Sequence, residues 1–80
     1  MILNYNELVD LPPEIRNGIM GGMIALYHQK DGFDTEGTKY IMVVNNMYFR
    51  VDKTGRLILP PFDKMPDNAD TTDLVILQRE

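Results

Sequence analysis

The chain of 80 residues contains no cysteine, no serine, no tryptophan and a single histidine. Without cysteine there are no disulfides, no thiolate nucleophile, no iron–sulfur ligands and no cysteine-based zinc site. A secreted domain of this size usually carries bridges, so the expected home is cytoplasmic. Without serine, a Ser-His-Asp triad cannot be assembled. One histidine, His28, cannot make a histidine-rich metal site within one chain. The remaining nucleophiles are five threonines, the lysines and tyrosines, and the carboxylates, and none stands in a spacing that suggests activation. The expectation is a non-enzymatic chain with no cofactor and no metal.

Long apolar runs are missing as well. The longest, Ile19 to Tyr27, spans nine residues and includes Gly21 and Gly22, whereas a membrane helix needs about 20. The opening residues place no basic stretch ahead of an apolar core, so no secretory signal is expected. Basic charge is also scarce: eight Lys and Arg face twelve Asp and Glu, for a net of −4. A dedicated nucleic-acid binder presents a basic face, so nucleic acid is an unfavoured partner. The charge is uneven. Residues 39–59 carry four basic side chains against Asp52, a net of +3, while residues 60–80 net −3. An acidic chain suits a partner with a basic surface, because opposite fields raise encounter rates.

What is present is ordinary for a folded chain: 44% apolar and 25% charged residues. Eighty residues without repeat or linker make a single domain, 1–80, which buries about 60–65% of its unfolded surface. Ile2 to Tyr5 reads as a short edge strand. Asp10-Leu-Pro-Pro-Glu14 reads as a helix start, with Asp10 as cap, the prolines in the first turn and Glu14 at the positive dipole end. His28, Lys30 and Gly32 read as a stop. Apolar residues recur at helical spacing between these signals. Gly18, Gly21 and Gly22 oppose that reading, each costing about 1 kcal/mol relative to alanine. One helix over about 12–30 is the favoured reading; the alternative ends a short helix near Met20 and begins a strand at Met23.

The clearest signal lies further on. Lys39–Val44 and Met47–Val51 are β-rich runs joined by Asn45-Asn46, and asparagine tolerates the positive φ of a two-residue hairpin turn. Asp52-Lys-Thr-Gly55 reads as a type I turn with glycine in the left-handed position, leading into Arg56–Leu59. Pro60-Pro61 is expected to stop that strand. Residues 60–73 read as a surface loop and Leu74–Gln78 as a last strand. These turns pair Val44 with Met47, Met42 with Phe49, Tyr40 with Val51, Val51 with Leu57 and Phe49 with Leu59. One face of the meander, from Tyr40 to Leu59, is then wholly apolar and belongs to the core against the helix. The other holds Ile41, Val43, Tyr48 and Ile58 beside Lys39, Arg50, Asp52 and Arg56, too apolar for a solvated face.

The expected fold is therefore α+β, one helix packed on an antiparallel sheet of three or four strands, with a small open β-barrel as alternative. Spare apolar surface points to another chain, unless the 60–73 loop and the two terminal segments fold back over it. The expected contact residues are Ile41, Val43, Tyr48, Arg50 and Ile58 on the mixed face, with Asp63, Asp67 and Asp70 from the acidic loop. That loop lacks the residue order of a calcium site. His28 is expected at a helix C-terminus, where a cationic ring meets the dipole. The leading functional expectation is a small protein-interaction module, an inhibitor or adaptor of the kind common among phage and mobile-element accessory proteins. The alternatives are a self-associating structural subunit, a homodimer or larger, and a single-stranded nucleic-acid binder using the basic hairpin 39–56.

Overall fold

A computed structural model describes residues 1–8 and 11–78. The elements are β1 (Ile2–Asn4), a 3-10 turn (Tyr5–Leu8), α1 (Pro13–Met20), β2 (Ala25–His28), β3 (Thr38–Val44), β4 (Met47–Asp52), β5 (Leu57–Phe62) and β6 (Ile76–Gln78). Strands β2-β3-β4-β5 form an antiparallel sheet in that order, and β1 and β6 form a separate parallel pair. The fold is α+β, with no closed barrel among the described residues.

The helix is much shorter than the favoured reading. Pro12 stands at its N-cap position with Pro13 as the first helical residue, and Glu14 lies in the first turn. The proposed cap, Asp10, lies outside the described residues. The three glycines decide the far end. Gly22 adopts φ +76°, its N–H donates to Ile19 O at 3.2 Å, and Met23 N–H donates to Gly18 O at 2.9 Å. This pair of bonds is a Schellman stop, which needs a residue in the left-handed region and so favours glycine. A Cβ at Gly18 would run into the Ile24 side chain as the chain turns back. Residues 25–28 then form β2 rather than a continued helix, and His28 closes a strand instead of a helix.

The hairpin reading holds. Asn45 and Asn46 both take positive φ, 51° and 62°, as a type I′ turn requires. Val44 faces Met47, Met42 faces Phe49 and Tyr40 faces Val51. Gly55 sits at φ +86° and donates to Asp52 O at 3.0 Å, and Val51 faces Leu57. Beyond that point the expectation fails. Pro60-Pro61 do not stop β5, which runs on to Phe62 after a cis Leu59–Pro60 bond. The register shifts, so Tyr48 opposes Phe62 and the expected Phe49–Leu59 pair is absent. An edge strand tolerates this, since prolines there forfeit only outward or bulged N–H groups.

Leu11, Leu26, Tyr40, Met42, Val51, Val75 and Leu77 form the core, with Ile15, Ile19 and Met20 of α1 packed against it. The sheet face assigned to the core is covered unevenly. Tyr40, Met42 and Val51 are buried, but Met47, Leu57 and Leu59 are 36%, 40% and 67% exposed. The layer made by α1, β1 and β6 covers the β2–β3–β4 part of the sheet and leaves the β5 end open.

Candidate interaction site

On the far side of the sheet, alternation gathers the expected contact residues as anticipated: Ile41 opposes Arg50, Val43 opposes Tyr48 and Arg50 opposes Ile58. They do not, however, form an open face. Ile41 has no solvent-accessible surface, so it cannot touch a partner. Val43, Tyr48 and Ile58 are half-buried. The Arg50 guanidinium donates to Glu36 and stacks 5.0 Å from the Phe62 ring centroid, leaving its side chain 11% exposed.

The cover comes from the chain that follows β5. Residues 73–75 bond to the outer side of β2, with His28 N–H donating to Asp73 O at 2.9 Å and Val75 N–H to Leu26 O at 2.7 Å. Segment 63–73 must therefore cross from one edge of the sheet to the other. Gln29 extends the β2 ladder by donating its N–H to Lys39 O, and alternation puts its side chain on the same side as Tyr27 and Ile41. That side chain is buried. Its amide group donates to Asp70 O and accepts from Asp70 N–H, both at 2.8 Å. Two hydrogen bonds thus clasp the crossing segment onto the far side, where Met65, Pro66 and Ala69 are half-buried. Nothing in the residue order around Gln29 distinguishes it, and sequence reasoning missed it.

Of the acidic residues, Asp63 and Asp67 are exposed. Asp70 is half-buried and accepts from the Thr72 hydroxyl at 2.6 Å, which holds its carboxyl below the usual range. Asp73 accepts from the Met1 amine at 2.7 Å and faces His28 Nδ1 at 3.1 Å; the amine, more than the histidine, lowers its pKa. The Asp34 carboxyl would be raised by burial, but the Thr38 hydroxyl and the Thr38 and Glu36 amides outweigh that and lower it. The same turn chemistry, led by the Thr54 hydroxyl, lowers Asp52. Asp34, Asp52 and Asp70 are thus engaged by their own loops, and Asp73 by the amine and His28. Among the described residues, no group of three or more His, Asp or Glu is arranged to hold a metal ion, and no helix is long and apolar enough to cross a membrane.

The basic stretch is dispersed too. Arg50 is committed to Glu36, and Lys39 lies 3.3 Å from Asp31; Lys53 and Arg56 are exposed at the β4–β5 turn.

Among the described residues, exposed apolar side chains gather in two other places, with Met23, 78% exposed, apart from both. One is the β5 end of the sheet. The other lies where β6 leaves β2. Ile2 and Ile76 are direct partners in the parallel pair and are 62% and 49% exposed, with Leu74 41% and Met1 39% exposed beside them. Adjoining this ridge is a groove of about 380 Å³ lined only by apolar residues and glycine, among them Ile19, Met20, Ile24, Val75 and Leu77. The sequence signal for the ridge was present but unread: in 74–77 every residue is apolar, so both sides of a strand there cannot be buried by one layer. No protein-family model, curated protein or solved structure matches this chain.

Proposed function

We propose that this chain is a small non-enzymatic protein-interaction module of the cytoplasm, an inhibitor or adaptor that binds a larger macromolecular partner. The observation that carries the reading is the apolar ridge of Ile2, Leu74 and Ile76 beside an apolar groove. Contiguous exposed apolar surface of this kind marks contact with another protein. With a net charge of −4, the complementary partner offers an apolar projection rimmed by basic residues. The contact residues named from the sequence, Ile41 foremost, give way to this ridge; Asp63 and Asp67 stay exposed and serve as acidic steering groups.

The test is affinity capture with the wild-type chain and with Ile76→Asp, each checked for folding by thermal melting. A partner that is retained by the wild type at low salt, weakened by salt and lost with Ile76→Asp supports the reading. Identical capture by both chains overturns it. Self-association is a second reading, favoured by a separate feature of β5.

A further inference from the structure

We propose that β5 pairs antiparallel with β5 of a second copy about a two-fold axis, joining two four-stranded sheets into one. This goes beyond the ridge described above, uses the opposite end of the molecule and can fail without it.

The argument begins with backbone groups. Strand β5 ends the sheet order, so no described strand occupies its outer side, in contrast to β2, which is bonded by 73–75. Asp52 N–H donates to Arg56 O at 3.0 Å, and Arg50 opposes Ile58. Counting by two from these bonds, Ile58 turns its N–H and C=O toward β4 and Leu57 turns its own outward; the proposed ladder takes Leu59, the last residue before the prolines, as outward too. Pro60 and Pro61 have no N–H to offer. They confine any new ladder to 57–59, and this sets the register: Leu57 opposite Leu59 of the second copy, with about four backbone bonds across the axis.

Side chains and charge agree with the same occupant. Leu57 and Leu59 are 40% and 67% exposed, with Met47 36% exposed nearby. They lie on the core side of the sheet, just past the reach of its covering layer, and the two-fold would set Leu57 of each copy against Leu59 of the other. The same register, followed past the strand ends, brings the basic end of β5, exposed Lys53 with Arg56 nearby, toward exposed Asp63 of the other chain. A two-fold satisfies that complementarity twice with one patch.

The experiment is solution mass by light scattering over a tenfold concentration range, with amide hydrogen exchange on the same samples. A dimer that weakens with salt, protects the Leu57 and Leu59 amides, and dissociates about tenfold or more readily with Leu59→Asp is expected. A second pair guards against a folding defect: Lys53→Glu weakens the dimer, and adding Asp63→Lys to it restores association. A monomer at every concentration, or a dimer indifferent to both sets of changes, overturns the proposal. Loss of a captured partner with Ile76→Asp would still stand.

Discussion

The two outer strands of the one sheet meet opposite fates. At β2, the chain returns after a long crossing and bonds to the open side, with a Tyr27–Leu74 bridge and the Asp73 and Val75 bonds closing the edge. At β5, the edge carries a register shift, two prolines and two exposed leucines. Segment 63–73 crosses to β2, where Gln29 holds Asp70, and no described strand pairs with the outer side of β5. The described residues close the β2 edge and leave the β5 edge without a strand partner.

The comparison is broken most severely at Ile41. With no exposed surface, Ile41→Ala is expected to lose about 2–5 kcal/mol in urea denaturation. Ile41→Asp leaves an unpaired charge in the same place and unfolds the chain. Leu59→Asp at the open edge, by contrast, changes stability by no more than about 0.5 kcal/mol. Equal effects at the two positions would sink the description of a covered face and an open edge.

Next in size is Gln29→Ala. It strands the Asp70 N–H and C=O and costs about 1–3 kcal/mol. Hydrogen exchange should accelerate at Asp70 and along 73–75, while β3 and β4 keep their protection. Uniform acceleration would show that Gln29 supports the whole fold and not the crossing.

Smaller again is the response to pH. Asp34, Asp52, Asp70 and Asp73 all titrate below the usual aspartate range in the folded chain. Their stabilisation is complete above the unfolded value and is lost as pH falls through the lower folded values, so the decline begins near pH ~4 and deepens below it. Burial raises Tyr40 from its ordinary 10.0, which removes stability only as pH climbs above that point. Chemical denaturation across pH checks both signs; a midpoint that is flat between pH 5 and pH 3 would contradict the first. The smallest effect is at the hairpin. Asn46→Gly, at φ 62°, should raise stability by a few tenths of a kcal/mol.

The parts that were legible share one property: their determinants lie within a few residues of each other. Two asparagines with positive φ set the β3–β4 register, and Gly55 set the turn into β5. The misread helix shows the same locality from the other direction. Gly21-Gly22 carried a local stop, but the apolar residues beyond it fit helical spacing because β2 is covered on both sides, and a strand covered on both sides loses its alternation. The site was far less legible. Ile41, Val43, Tyr48, Arg50 and Ile58 do share one side, since alternation guarantees it. Whether that side meets water depends on residues outside these strand pairs, such as Glu36 and Phe62 for Arg50.

The amino-acid order alone determined the α+β class, the meander β3–β4–β5 with its turns, and the acidic balance that limits its partners. Turn conformations and strand alternation are properties of a few neighbouring bonds. Only the tertiary structure decided which apolar surface stays open. The path of 63–73, the Gln29–Asp70 clasp, the parallel β1–β6 pairing and the free edge of β5 all join residues distant in the chain. Such contacts are selected by total burial and hydrogen-bond satisfaction across the whole molecule, which no local pattern encodes.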